Sequence, residues 1–300
     1  MTVATRLDRR TRGNAARTAE QRWGYLLAAP AVVLIVLFLV VPVLMTFGLS
    51  VTNARLVSPN PPEYIGLDNF VRAFTEDPSF LRALRNVAVF ALVVVPVQGG
   101  IGLALALLVN QKLRGVTLFR VLFFLPVVTS MVVVSMLWKF MYEQDGLINS
   151  VFGFNVDWLN NPSTALPAII VMSIWQGVGF HMIIWLAGLQ TISAELYEAA
   201  QIDGANRWQQ FRNVTIPGLR PTSVFVFITI TIAAFSLFVQ VDVMTQGGPV
   251  DATTSIVYQA VQSGYRRQQI GYGAALSLIF FVLVLLITLI QRRLTREDDR

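Results

Sequence analysis

Polar side chains recur at helical spacing inside an otherwise apolar run around residue 180. Gln176 and Phe180 are four positions apart and His181 follows directly, so in a helix they share two neighbouring stripes, with Trp175 nearby. An amide, an imidazole and aromatic rings suit a hydroxyl-rich solute such as a sugar or polyol, because hydroxyls need hydrogen-bond partners and C–H faces stack on rings. We therefore predict a solute-binding surface here, with Gln176 as its strongest candidate.

A later apolar run repeats this arrangement. Thr229, Ser236 and Gln240 follow one another at steps of seven and four, and Asp242 lies on the adjacent face near the end of the run. We predict that these four side chains face the same solute. Two alternatives stay open: the aromatic rings and His181 could serve helix packing, and Asp242 could pair with an arginine.

Catalytic motifs are missing from the sequence. It has no GxxxxGK[ST] phosphate-binding loop, no Cys and one His, and its acidic residues fall mostly in polar segments. Disulfides, zinc-thiolate sites and cysteine nucleophiles are therefore excluded, and we predict neither a metal site nor a cofactor in this chain. The chain is expected not to be an enzyme, so any energy it uses must come from a partner.

The composition places these side chains in a membrane. Of the 300 residues, 55% are hydrophobic and 13% are charged, whereas roughly a quarter are charged in soluble domains. The net charge of +6 sits largely in short segments beside apolar runs, a pattern typical of membrane topology rather than of nucleic-acid binding. We predict an all-α, multi-pass membrane protein in contact with lipid.

Six apolar runs reach the length of about 20 residues needed to cross the hydrocarbon layer. They cover residues 24–49, 86–109, 118–141, 165–188, 218–243 and 271–291. Prolines within them are tolerated because neighbouring helices satisfy the freed carbonyls. With both termini inside, 16 of the 23 Lys and Arg residues are cytoplasmic, and this bias predicts the N-in, C-in orientation.

The predicted membrane domain covers residues 23–291. Residues 1–22 precede it as a basic tail with six arginines, and residues 292–300 follow it as a charged end. Both ends are predicted to be cytoplasmic. In the first outer segment, Asp68 is expected to cap a short helix that lies along the membrane surface.

A polar segment at 193–221 separates the fourth and fifth apolar runs on the predicted cytoplasmic side. Ser193 is the expected N-cap of a first short helix, which Gly204 ends. A second helix is expected to restart at Asn206 and to stop at Pro217. A DNA-reading helix-turn-helix is the alternative interpretation, but few basic residues and tethering between two spans disfavour it.

This polar segment resembles the EAA loop of permease subunits from binding-protein-dependent ABC importers. The resemblance is carried there by Glu198-Ala199-Ala200, Asp203-Gly204-Ala205, Phe211, Val214, Ile216-Pro217 and Arg220-Pro221. Outside it, 66–70 and Gly247-Gly248-Pro249 are similar to the carbohydrate branch of these permeases, the maltose and glycerol-phosphate type. The resemblance therefore covers about residues 24–291.

In that family the EAA loop is the cytoplasmic element that docks on an ATP-binding subunit, so we call residues 193–221 the coupling segment. The resemblance implies two coupling helices joined by a bend, with small residues allowing close approach of the partner. The residues expected to dock are Glu195, Glu198, Ala199, Ala200, Asp203, Gly204, Ala205, Phe211 and Pro217.

The resemblance also implies the partners and the function. The partners are a second homologous permease subunit, two ATP-binding subunits that hold ATP and Mg²⁺, and an extracytoplasmic solute-binding protein, with no nucleic acid. The implied function is ATP-driven import of a sugar or polyol across a bacterial plasma membrane by alternating access. One alternative is the same architecture importing glycerol phosphate or a glycerophosphodiester. The other is an ion-coupled secondary transporter, although only Asp242 is an acidic residue close to membrane depth.

Overall fold

The structure is a computed structural model that describes residues 24–111 and 115–296. The basic tail 1–22, Lys112, Arg114 and the last four residues of the charged end lie outside the described residues. Within residues 24–111 and 115–296, every named element of secondary structure is a helix, as predicted for an all-α protein.

We number the main helices in chain order. They are α1 (Gly24–Ser50), α2 (Asp68–Thr75), α3 (Pro78–Val109), α4 (Val116–Val128), α5 (Met131–Met141), α6 (Leu147–Phe152), α7 (Ala165–Gln190), α8 (Ala194–Ile202), α9 (Arg207–Gln210), α10 (Arg220–Phe235), α11 (Val239–Met244), α12 (Ile256–Val261) and α13 (Ile270–Arg296). Wider π-helical turns occur at Val36–Val40, Phe211–Thr215 and Gln262–Arg266.

Five of the described stretches are long and apolar enough to cross a membrane: α1, α3, α7, α10 with α11, and α13. A sixth crossing is made by α4 and α5, if this pair, bent by 97°, counts as one span. The prediction of a continuous helix over 118–141 was therefore wrong. Thr129 and Ser130 are extended at the break, just after Pro126, which lacks an N–H and crowds the preceding turn.

Two other predicted spans also have different bounds. Helix α3 begins at Pro78, eight residues before the predicted start, because the Asp77 side chain accepts hydrogen bonds from the backbone N–H groups of Ser79 and Phe80 at 3.0 and 3.2 Å. The predicted helix over 218–243 is interrupted between α10 and α11. A short helix, α2, is present where the sequence predicted one, but Asp68 lies in its first turn and makes no capping hydrogen bond within the described residues.

Helix α7 lies at the centre of the bundle, and this decides where a site can form. It packs along α3, where the indole Nε1–H of Trp185 donates to the carbonyl of Gly99 at 3.0 Å. Helices α4 and α10 also contact α7. By contrast, the most apolar part of α1 buries no residue, although α1 packs on α13. Polar side chains on α7 therefore face protein on several sides.

Candidate functional site

A cavity of about 220 Å³ lies within the membrane-spanning bundle, between α3, α7 and α10 and the broken helices α4, α5 and α11. It is lined by Phe90, Val94, Gln98, Val127, Met131, Ser173, Gln176, Gly177, Phe180, His181, Thr229, Ile230, Ala233, Ala234 and Gln240. None of these lining residues is Lys, Arg, Asp or Glu, so the wall is uncharged unless His181 is protonated.

Five of the eight side chains that we predicted to face a solute meet at this cavity. They are Gln176, Phe180, His181, Thr229 and Gln240. The break between α10 and α11 brings Gln240 to the same wall as Thr229, although the two no longer share one continuous helix stripe. The Thr229 hydroxyl bonds back to the carbonyls of its own helix, at 2.9 Å each. It therefore offers a solute mainly its acceptor lone pairs.

The other three predicted side chains do not line the cavity. The ring of Trp175 packs on that of Trp138, with centroids 5.4 Å apart. This agrees with the alternative that the aromatic ring serves helix packing. The Ser236 hydroxyl donates to the carbonyl of Ile232 at 2.8 Å. The Asp242 carboxylate pairs with Arg266 at 3.1 Å, which fits the arginine alternative. These three positions contribute packing or local bonds in this conformation.

Two polar residues of the wall were missed from the sequence, Gln98 and Ser173. Gln98 is the one amide between Val87 and Val109 of α3 and is 5% exposed. Its Nε2 atom lies 2.8 Å from Nδ1 of His181. A Cβ atom on Gly177 would meet that same Nε2 at 2.5 Å, so the close approach of Gln98 requires glycine at position 177. The lone amide among apolar neighbours was the only sequence signal for Gln98.

The coupling segment folds as two short helices joined by a tight turn. The Ser193 hydroxyl accepts from the backbone N–H of Glu195 at 3.2 Å and caps α8 as predicted. Gly204 ends α8 with a φ of +79°. The backbone N–H groups of Gly204 and Ala205 bond to the carbonyls of Gln201 and Ala200 at 3.0 and 2.8 Å. This is a Schellman turn, which favours glycine at the left-handed position.

The second helix of the coupling segment restarts where the sequence predicted. The side chain of Asn206 accepts from the Gln209 N–H at 2.9 Å, and the Gln209 side chain accepts from the Asn206 N–H at 2.7 Å. The predicted stop at Pro217 was wrong, because helix continues over Ile216–Gly218. The π turn Phe211–Thr215 directly precedes this proline and widens the backbone there.

Most residues that we expected to dock on a partner are accessible. Glu195, Glu198, Ala199, Asp203, Gly204 and Pro217 are exposed, whereas Ala200, Ala205 and Phe211 are half-buried. Large apolar side chains are exposed beside them: Ile202 at 87% and Trp208 at 65%. A surface with exposed large apolar groups among charged side chains is typical of a protein interface.

The match of a family model decides the class of protein. The model described as "Binding-protein-dependent transport system inner membrane component" matches residues 98–297. The chain belongs to this family. The permease is 36% identical to the lactose transport system permease protein of Rhizobium radiobacter over 284 residues, covering 91% of this chain and 94% of that protein. It is 34% identical to the trehalose/maltose transport system permease protein of Thermococcus litoralis, covering 92% and 95%.

Solved structures share the permease fold. A crystal structure of a bacterial ABC transporter involved in the import of the acidic polysaccharide alginate contains a chain with a TM-score of 0.81 and 24% identity, covering 96% of this chain and 100% of that chain. The predicted resemblance of the chain to importer permeases is confirmed by the family match and by these relatives. The permease is a multi-pass membrane protein of an inner-membrane transport system.

Proposed function

We propose that this permease moves a sugar or polyol across the plasma membrane, driven by separate ATP-binding subunits. The observation that carries the proposal is the uncharged cavity, where three amide side chains and one imidazole lie with Phe180 in the wall: Gln98, Gln176, Gln240 and His181. Hydroxyl-rich solutes are recognised by such neutral donors and acceptors together with ring faces. The names of the lactose and trehalose/maltose relatives support a carbohydrate cargo.

The same cavity disfavours both alternatives. A phosphate-bearing cargo such as glycerol phosphate requires Arg or Lys in its site, because hydrogen bonds from these cations to a phosphate are charge-assisted and therefore strong. An ion-coupled transporter calls for acidic side chains at membrane depth. Neither kind of residue is among those that line the cavity, and Asp242 is half-exposed and paired with Arg266.

The cavity is smaller than a complete site for a disaccharide. Its volume of about 220 Å³ falls below the range of about 300–1,000 Å³ that is usual for ligand pockets. This supports a path shared with a second, homologous permease subunit, whose side chains complete the site. It also supports alternating access, in which movement of the spans widens the cavity when a solute enters.

The coupling segment is proposed to transmit force from the ATP-binding subunits. Its exposed Glu198, Ala199 and Ile202 suit a partner surface with an apolar cleft and an arginine on its rim. ATP and Mg²⁺ are held by that partner, because this sequence has no phosphate-binding loop. This assignment places both termini and the coupling segment in the cytoplasm. Outside, a solute-binding protein would deliver the cargo, as the alginate-transporter structure with a sugar-bound periplasmic protein suggests.

Uptake by cells tests the cargo class. A strain that depends on this permease is supplied with labelled lactose, maltose, trehalose or glycerol 3-phosphate, with the wild-type chain or Gln176→Ala. We expect uptake of at least one sugar, and a loss of that uptake in the Gln176→Ala variant. Gly100→Ala is the control, because Gly100 has open space around its Cα in α3. Uptake of glycerol 3-phosphate alone would contradict the proposal.

Chemical labelling tests the orientation. The sequence has no Cys, so Ala199→Cys gives a single thiol in the coupling segment and Tyr265→Cys a single exposed thiol beyond α12. A membrane-impermeant maleimide added to intact cells should label residue 265 and spare residue 199 until the membrane is opened. Labelling of residue 199 in intact cells would place the coupling segment outside and refute docking on a cytoplasmic ATPase.

A further inference from the structure

One contact in the cavity wall joins two helices through side chains that no periodic pattern relates. Gln98 on α3 and His181 on α7 are 83 positions apart, and both are 5% exposed. Nδ1 of His181 lies 2.8 Å from Nε2 of Gln98 and 3.0 Å from the carbonyl oxygen of Gly177. Nδ1 accepts a hydrogen bond from the Gln98 amide when Nε2 carries the ring proton, and it donates one to the Gly177 carbonyl when Nδ1 carries the proton, so the two contacts are alternatives.

The second ring nitrogen is left for another partner. Within the described part of the chain, the hydrogen-bonding contacts of His181 all go through Nδ1, and the residue lines the cavity. The contact at one imidazole nitrogen sets the tautomer, and hence whether the other nitrogen donates or accepts. A hydroxyl group is a suitable partner in either case, because it both donates and accepts.

Ser173 is a further polar residue of the same wall. It lies four positions before Gly177 and eight before His181, so the three share one stripe of α7. Its side chain is 8% exposed and lines the cavity. The Oγ atom has no hydrogen-bond partner among the described residues. Buried hydroxyls are normally satisfied, so Ser173 is an unsatisfied polar group in the cavity wall, although its Oγ atom is almost inaccessible to solvent.

We propose that Gln98 is a positioning residue for solute recognition: its amide fixes the ring of His181 so that Nε2 meets a solute hydroxyl in the cavity. This inference rests on the proposed function, since it assumes a hydroxyl-bearing cargo in this cavity. Gly177 belongs to the same device, because any side chain there would displace the Gln98 amide. Gln98 acts through His181, and its loss leaves the carbonyl of Gly177 as the one remaining partner of Nδ1 among the described residues.

The single histidine of the sequence makes the ring directly observable. The full chain is labelled with [¹⁵N]histidine, assembled with unlabelled partners in lipid nanodiscs, and its two ring-nitrogen resonances are recorded with and without lactose, maltose or trehalose. In the wild type, we expect at least one of these sugars to shift the Nε2 resonance. In Gln98→Met, which has similar length and no amide, the Nδ1 resonance should move and the sugar-induced shift should disappear.

The matched control removes a different hydrogen bond between the same two helices. Trp185→Phe deletes the bond from Trp185 to Gly99, and Trp185 does not line the cavity. The sugar-induced shift should persist in this variant. Uptake should fall about 3- to 10-fold in Gln98→Met, as for the loss of one hydrogen bond, and less in Trp185→Phe. If Gln98→Met does not insert, Gln98→Asn, whose shorter side chain withdraws the amide, takes its place.

The outcomes separate this inference from the function on which it rests. Equal effects of Gln98→Met and Trp185→Phe would mean that Gln98 only holds the helices together, and would overturn the proposal. The proposal would also be overturned if the wild-type Nε2 resonance did not shift with any of the three sugars in a complex that still transports one of them. The proposed function would remain intact in that case. Failure of the wild-type complex to transport any sugar would instead refute the proposed function.

Discussion

The hydroxyl groups of Tyr197 and Thr215 lie 2.9 Å apart and join the two halves of the coupling segment across 18 positions. Tyr197 is on α8, and Thr215 is the buried end of the π turn that leads towards α10. Since α10 carries Thr229 to the cavity, this hydrogen bond connects the proposed docking surface with a helix that lines the cavity. A rigid connection of this kind is needed if a movement at α8 is to reach the cavity.

Removing this hydrogen bond should weaken the coupling between ATP hydrolysis and transport. Tyr197→Phe keeps the ring and deletes the hydroxyl, at a cost of about 0.5–1.5 kcal/mol. We expect ATP hydrolysis by the assembled complex to continue while uptake per ATP falls about 2- to 10-fold. Tyr265→Phe, which alters an exposed tyrosine at 76%, is the control. An unchanged ratio of uptake to hydrolysis would show that the Tyr197–Thr215 contact transmits nothing.

The bend at Gly204 should tolerate substitution according to backbone conformation rather than size. No atom lies within 4 Å of a Cβ at this position, but its φ of +79° is left-handed. Gly204→Ala should therefore cost about 1–2 kcal/mol and reduce uptake, while Gly204→Asn should be milder because Asn adopts this conformation more readily. Gly204→Asp adds a negative charge to the docking surface, and we expect it to abolish uptake while the chain still inserts.

Uptake by the three Gly204 variants at equal membrane levels, measured by immunoblot, checks this order. Gly100→Ala is again the matched glycine control in a membrane helix. A ranking in which Asn is worse than Ala would contradict the role assigned to the left-handed turn.

Reversing the charge of Glu198 should uncouple the permease from its ATPase. Glu198 is exposed, so its replacement leaves the fold intact, whereas an arginine on the partner would then face a like charge. Glu198→Lys should reduce uptake on the order of tenfold or more and reduce recovery of the ATP-binding subunit in pull-downs. Gln201→Lys adds one positive charge to α8 and keeps Glu198. Equal loss in both variants would point to a general charge effect instead.

Asp242 should be dispensable for transport, although the sequence predicts that it lies close to membrane depth. Its ion pair with Arg266 is partly exposed, with side chains 32% and 55% accessible, and such pairs contribute about 0–1 kcal/mol. We expect Asp242→Asn to keep initial uptake rates within about twofold of the wild type. A tenfold loss in Asp242→Asn with normal rates in Arg266→Gln would instead assign the carboxylate to the solute path.

Local patterns predicted the coupling segment better than the spans. The caps at Ser193 and Asn206 and the turn at Gly204 are decided by neighbouring residues, so the sequence was sufficient for them. The bend at Thr129–Ser130 was not predicted, because proline in a membrane helix is often accommodated without a break. At Pro217 we predicted the end of a helix, but the wider π turn before this proline lets the helix continue.

For the candidate cavity, the sequence predicted which residues of one helix lie together but not which helices meet. The periodicity of α7 correctly grouped Gln176, Phe180 and His181, because all three lie on one helix. Gln98 could not be added, because its contact with His181 depends on the packing of α3 against α7. Asp242 was grouped with Gln240 by spacing alone, yet the turn before α11 directs it towards Arg266. Contacts between distant segments are decided by tertiary packing, which periodicity does not record.

The most direct test of the central claim is solute flux in proteoliposomes of defined composition. The chain alone, and the chain with its second permease and ATP-binding subunits, are reconstituted with a labelled sugar and solute-binding protein outside, and with or without ATP on the coupling-segment side. We predict accumulation only in the full assembly with ATP, and its loss in Glu198→Lys. Accumulation by the chain alone, driven by a proton or sodium gradient without ATP, would contradict the account.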